Sequence, residues 1–319
     1  MTSIANSVWE NFCELKAANE FEGNGIPCGD KKQHLFVKGK DGEPVLFLKS
    51  EPRLHPRAPI RLMNVVGEFD RKYSLNSVGG AEAVTSFFTT FRCVPEAADL
   101  HPYFVEMMVA IAAVQPASLS EKEVDNVVAS LVELFRPGSA AGQSTVAGLW
   151  GELLVIAVST DASAFINGWH IDATDTFDFA FSDRRIEVKS SEKQTRVHEF
   201  SLGQVAERRE GDYVASVLLK RSAAGVSTLE LAEQVAANLD DGGRAKLWGL
   251  VFRILGEDAT LTNDVRYDIK FAKDNLRFIP SNNVPAPFID EEGRRFISHV
   301  RYQAQMESIA QNFGLIELP

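Results

Sequence analysis

FDFAFSDRRIEVKSS, residues 177–191, sets Phe177, Phe179 and Phe181 in alternation with Asp178, Ala180 and Ser182, then Ile186 and Val188 in alternation with Glu187 and Lys189. Successive side chains of a strand point to opposite faces, so each run has one apolar face and one face that carries chemistry. The pattern predicts a hairpin. A two-residue loop at Asp183 and Arg184 would set Ser182 opposite Arg185, Ala180 opposite Glu187 and Asp178 opposite Lys189. Asp178 and Glu187 would then be diagonal neighbours roughly 7–8 Å apart at the backbone, close enough to share one divalent cation.

Attack on a phosphodiester calls for this combination. A hard cation neutralises developing charge and acidifies bound water, and carboxylate oxygens suit Mg²⁺. The Lys189 ammonium would orient the water or stabilise the phosphorane, and two adjacent carboxylates would keep it charged. The competing reading of the same spacing is a half-buried hairpin in which Asp178, Glu187 and Lys189 form a cross-strand salt bridge.

The segment upstream bears on that choice. In QSTVAGLWGELLVIAVST, residues 143–160, Val146, Leu149, Trp150, Leu153, Leu154 and Ala157 follow helical spacing, with Ser144 as a candidate N-cap. Glu152 is the only charged residue between Arg136 and Asp161. A carboxylate in so apolar a helix is costly unless paired, hydrogen-bonded or bound to metal. Beside the hairpin, the metal-site reading is the better one.

The order helix Glu152, strand Asp178, strand Glu187-x-Lys189 resembles the PD-(D/E)xK nuclease superfamily. The phrases GLWGELLVI, GWHIDATDTFDF, IEVKSS and HEFSLGQV are similar to a bacterial family described as PD-(D/E)xK motif proteins, most clearly over about residues 143–215. The resemblance implies a restriction-endonuclease-like α/β (α+β) core, a mixed central sheet flanked by helices. It implies that Asp178 and Glu187 hold Mg²⁺ or Mn²⁺, that Lys189 assists water, and that Glu152 supplies another ligand. The Val188 carbonyl is a further candidate ligand. Phe177 stands where the motif name has proline. In SLGQ, residues 201–204, Ser201 and Gln204 fit a capping box. The resemblance gives Gln204 a second role reaching into the site. His198 could touch phosphate or be a satisfied interior residue, and Ser190 and Ser191 could hydrogen-bond phosphate oxygens.

A net charge of −11 argues against a general nucleic-acid binder. Its distribution is uneven, however: residues 31–72 carry a net +5, and Arg184, Arg185, Lys193, Arg196, Arg208 and Arg209 flank the proposed site. Basic residues near the site are what a phosphate backbone would need, although a solvated face is an equal reading of each one. Three scattered cysteines, Cys13, Cys28 and Cys93, make neither a zinc pattern nor a disulfide framework. With no signal-like or membrane-spanning apolar run, the expectation is a cytoplasmic protein. Gly138-SAA-Gly142-Gln143-Ser144 is too short for a phosphate-binding loop and lacks its lysine.

At 319 residues the chain can bury one large or two modest cores. The pattern predicts a helix over 1–20, strands at 34–38, 45–49, 60–66 and 69–75, and helices at 80–92, 100–115 and 120–135. The Gly/Ser-rich RPGSAAGQS suggests a boundary: a β-rich N-terminal region with a helical connector, 1–137, and a nuclease-like core with a C-terminal extension, 138–319. Beyond the hairpin, 212–221 reads as strand, 227–255 as mostly helix, and 265–279 and 298–306 as strands. The expectation is an Mg²⁺-dependent DNA endonuclease of restriction or phage defence, with a helicase or methyltransferase as the partner such systems imply. The alternative is a noncatalytic module that binds DNA or a partner subunit.

Overall fold

A computed structural model describes residues 4–18, 22–29, 33–53, 57–62, 64–77, 83–134, 146–169, 177–193, 195–201, 209–255, 265–288 and 300–314. The chain folds into two units, Met1–Pro137 with Leu239–Thr260, and Gly138–Asn238 with Leu261–Pro319. The segment Leu239–Thr260, which the sequence pattern assigns to the nuclease-like core, groups instead with the N-terminal unit. The reason is its helix Asp241–Leu255, whose buried Leu247, Trp248 and Val251 need an apolar partner.

The first unit begins with helix α1 (Ile4–Glu14) and continues through strands β1 (Glu22–Cys28), β2 (His34–Lys38), β3 (Pro44–Lys49), β4 (Ile60–Leu62), β5 (Val65–Ser77) and β6 (Val84–Cys93). The sheet runs β1-β2-β3-β6-β5-β4, and β1 also pairs in parallel with β5. Five strands therefore close on themselves, which removes their free edges, with β4 appended to β5. Leu35, Val37, Val45, Phe47, Tyr73, Leu75 and Phe88 fill one core cluster. β5 bends at a bulge between Glu68 and Arg71, where Asp70 adopts φ 57°. Helices α2 (His101–Ala113) and α3 (Glu121–Leu134) pack with Asp241–Leu255, and the Tyr103 and Trp248 rings lie 4.8 Å apart.

Val84–Cys93 is a strand, which corrects the helical expectation for the described part of 80–92; residues 80–82 lie outside the described residues. VTSFFTTFRC has helix-compatible apolar spacing, but its β-branched and aromatic residues favour the pleated sheet, and the pairing available from β3 and β5 decides the outcome.

The second unit contains α4 (Val146–Val158), α5 (Ala162–Gly168), β7 (Phe179–Ala180), β8 (Arg185–Ser191), β9 (Val197–Ser201), β10 (Asp212–Leu218), β11 (Arg221–Ser227), α6 (Thr228–Ala236), β12 (Arg266–Tyr267), α7 (Ile269–Asp274), β13 (Arg277–Pro280), β14 (Arg301–Gln305) and α8 (Glu307–Ala310). Its central sheet has the order β13-β10-β8-β7, with β8 and β10 parallel and the outer pairs antiparallel. This mixed sheet flanked by helices is the restriction-endonuclease-like core that the sequence implied. Residues 265–279 are not one strand, because Asp268 caps Phe271 N at 2.9 Å and starts α7 there.

Helix α4 is apolar around most of its circumference and accordingly buried, packing on β8 and α6. Gly151 makes the approach to β8 possible, since a Cβ there would overlap Ser190 Oγ. Gly211, at φ 95°, starts β10 against the hairpin turn, where a side chain would run into the Asp183 carbonyl. Among the described residues, strands β9 and β14 pair only with each other and form a separate ribbon.

Candidate active site

The hairpin forms with its turn one residue earlier than expected. Phe181 N donates to the Arg184 carbonyl at 2.8 Å, so Ser182 and Asp183 make the two-residue loop. Phe179 stands opposite Ile186 and Ala180 opposite Arg185. The register is thus displaced by two residues from the one predicted, and Ala180 does not face Glu187. A displacement of two keeps every side chain on its own face. Continuing this register sets Asp178 opposite Glu187 rather than diagonal to it.

Asp178 lies just before β7, where the ladder stops. By the alternation of antiparallel bonds, the Val188 N–H points to this edge and would meet the Phe177 carbonyl in a longer strand. Instead it donates to Asp178 Oδ2 at 2.6 Å. The same geometry directs the Val188 carbonyl toward that edge. The apolar side is held by Phe179, edge-on to Phe165 at 5.1 Å and stacked on Trp169 at 6.1 Å.

Three carboxylates interact here. Burial, then the charges of Glu187 and Glu152, hold the Asp178 carboxyl well above the usual range, against the Val188 N–H and Lys189. Burial also raises Glu187, opposed by Lys189, whose Nζ sits 2.7 Å from Glu187 Oε1. Glu152 Oε2 accepts a hydrogen bond from Trp169 Nε1 at 2.8 Å, which satisfies the carboxylate that α4 carries into the interior. Lys189 Nζ also lies 5.4 Å from the centre of the Phe200 ring.

Asp178, Glu187, Lys189 and Glu152 are therefore neighbours. Among the described residues no group of three or more His, Cys, Asp or Glu side chains is arranged to hold a metal ion. The donor set remains an all-oxygen one: two adjacent carboxylates, Asp178 and Glu187, and the Val188 carbonyl at the same edge. That composition suits Mg²⁺, which takes one or two carboxylates and completes its shell with water and substrate phosphate. Gln204, Ser144, Arg208 and the Gly138–Ser144 loop lie outside the described residues.

The basic flank differs from the sequence picture. Arg185 is clamped by Asp212 at 2.9 and 2.6 Å and stacks over Phe177, while Arg184 pairs with Asp183 at 3.0 Å. Arg196 is buried and bonds inward. Lys193 and Arg209 are exposed. In the first unit, Arg53 and Arg57 both bond to Asp125. Lys40, Arg61 and Lys72 are exposed there. Ser190 Oγ is buried toward Gly151, and Ser191 Oγ bonds to the Lys193 and Thr195 carbonyls at 3.4 Å, so neither serine is presented to phosphate.

His198 is interior. Its Nε2 shares a 2.7 Å hydrogen bond with Ser216 Oγ, and burial, Arg196 and Lys189 push its pKa down to about 4. Trp169 and Ser216 were missed in the sequence, and Arg196 was read there as a basic flank rather than an interior residue. The only signal for Trp169 was the need of Glu152 for a partner, which does not say where the partner lies.

A family model described as "Putative PD-(D/E)XK family member, (DUF4420)" matches residues 31–306. Neither a curated protein nor a solved structure matches the chain. No helix among the described residues is long and apolar enough to cross a membrane.

Proposed function

The chain belongs to this PD-(D/E)XK family, and from that premise we propose that it is a divalent-cation-dependent nuclease that hydrolyses DNA, in restriction or defence against foreign DNA. The observation that carries the reading is the grouping of half-buried Asp178, held on the Val188 N–H, with buried Glu187, whose carboxylate meets Lys189 Nζ at 2.7 Å, and with Glu152, whose charge also raises the Asp178 carboxyl. Acidic groups crowded against one another destabilise a fold unless a cation or a reaction uses them. Asp178 and Glu187, with the Val188 carbonyl, would hold Mg²⁺ or Mn²⁺, and Glu152 would approach as a further ligand. When bound, that cation supplies charge neutralisation and a more acidic water.

The chain's own groups do the rest. Val188 N–H fixes one Asp178 oxygen and leaves the other to bind. Trp169 aims Glu152 from α4 and keeps it from turning away. Lys189, anchored on Glu187, orients the attacking water in line with the phosphorus and offsets charge gathering on the phosphoryl oxygens. Gln204 would join from the segment after β9, and Lys193 and Arg209 would guide the phosphate backbone.

The noncatalytic module is the competing reading. Against it stands the cost of the buried carboxylates, which would repel phosphate and so do nothing for a binding surface. Calorimetric titration of Mn²⁺ and Mg²⁺ into wild type and Asp178→Asn tests the cation assignment. Heat of binding in wild type, lost in the variant, supports it; equal heats in both, or none in wild type with DNA present, count against it.

A further inference from the structure

Strand β9 brings Phe200 and His198 beside Lys189, yet among the described residues no ladder joins the β9–β14 ribbon to the central sheet. Phe200, Ala304 and Met306 pack into one apolar cluster with Val214 and Ile279 of that sheet, and two buried polar residues of the segment add directional bonds to it. Arg196, 3 % exposed, donates from Nη1 to the Ser216 carbonyl at 2.9 Å and to Ser216 Oγ at 2.8 Å, and from Nη2 to the Asn275 carbonyl. Its own carbonyl accepts Met306 N at 2.8 Å, which ties in the start of α8. His198, also 3 % exposed, meets the same Ser216 Oγ at 2.7 Å.

Arg196 can only donate, so Ser216 Oγ accepts from it and keeps one proton and one lone pair. With either of these it meets Nε2 of the His198 imidazole, which its surroundings hold neutral, the direction following the tautomer. Ser216 is the register partner of Lys189 in the parallel β8–β10 pairing, so the shared hydroxyl stands on the Lys189 face of the sheet. Phe200 then lies two residues beyond His198 on the same face of β9, stacked on Tyr302 at 5.9 Å, with Lys189 Nζ 5.4 Å from its ring centre.

We propose that Arg196 and His198, joined through the Ser216 hydroxyl, are positioning residues for Lys189: they lock the β9 ribbon to the sheet and thereby seat the Phe200 ring under the lysine ammonium. The catalytic meaning of this arrangement rests on the nuclease reading, but the placement of Phe200 against Lys189 is a property of the fold alone. His198 acts here through its hydrogen bond to Ser216 and carries no proton during the reaction.

The test compares His198→Gln, which keeps a hydrogen-bonding group at the right reach, with His198→Leu, which does not, and with Ser216→Ala, which removes only the shared hydroxyl. In the full chain, the NMR signal of the Lys189 ε-methylene, assigned by its disappearance in Lys189→Met, reports the ring current of Phe200. The upfield displacement is expected to persist in His198→Gln and to collapse in His198→Leu and Ser216→Ala. With Mg²⁺ and DNA, kcat should fall about tenfold or more in the last two while KM holds, because a misplaced group costs the transition state and not the ground state. An unchanged Lys189 signal in both His198→Leu and Ser216→Ala overturns the proposal. So does a His198→Gln variant as impaired as His198→Leu, which would make the imidazole a proton carrier. If wild type cuts no DNA, the nuclease reading falls, and the ring-current comparison still decides whether Lys189 is positioned this way.

Discussion

Asp178 Oδ2 accepts the Val188 backbone N–H at 2.6 Å and so stands in for a strand carbonyl at the open edge of the sheet. The bond fixes the carboxyl where Glu187 and Glu152 both raise its proton affinity. An amide oxygen could accept the same N–H, which makes asparagine a clean probe of the charge alone.

Asp178→Asn should stabilise the metal-free protein at pH 7. The folded-state pKa of Asp178 lies above its unfolded value, so folding favours the uncharged form. That advantage is complete below the unfolded pKa near 3.8 and fades as pH rises toward the folded one, so at neutrality the acid costs the fold stability that an uncharged amide does not. A rise of roughly 2–4 °C in thermal midpoint, with chelator present, corresponds to about 1 kcal/mol. A lower midpoint than wild type would show that the charge is not under strain.

His198 predicts a loss of stability in acid. Its folded pKa, about 4, lies below the ordinary histidine value of 6.5, so the unfolded chain binds the extra proton between those values and stability falls as pH drops through that window. The contribution is at most about 3 kcal/mol. Urea unfolding at pH 7 and pH 4.5 should show His198→Gln losing less between the two than wild type; identical pH slopes would refute this.

Gly151→Ala tests how closely α4 lies on β8. In an exposed helix interior this change would stabilise by roughly 0.5–1 kcal/mol. Here the added Cβ overlaps Ser190 Oγ, so a destabilisation of about 1–3 kcal/mol is expected instead. Adding Ser190→Ala should recover a good part of it, and purely additive effects in denaturant titrations would mean that the two residues do not meet.

The two faces of the hairpin were legible because strand periodicity is two, and the displacement of the register by two residues left them intact. The turn itself was not legible: Ser182–Asp183 and Asp183–Arg184 are comparable loop formers, and the packing of Gly211 against Asp183 is a long-range fact. Glu152 stood out as the one charge in an apolar helix, whereas its donor Trp169 looked like any other aromatic. Arg185 and Arg196 read as basic flanks because sequence shows charge but not direction; Asp212 and Ser216, far along the chain, turn them inward. Val84–Cys93 and Asp241–Leu255 were misplaced for the same reason, since partners remote in sequence chose their structure and their unit.

Cleavage by wild type and Lys189→Ala, compared on single-stranded, double-stranded and modified DNA with Mg²⁺ or Mn²⁺, tests the central claim most directly. The substitution leaves Asp178, Glu187 and Glu152 in place and removes the ammonium beside them, so hydrolysis should be abolished while DNA binding persists. Equal cleavage by the two proteins, or no cleavage of any of these DNAs by wild type even with helicase and methyltransferase partners supplied, would contradict the nuclease account.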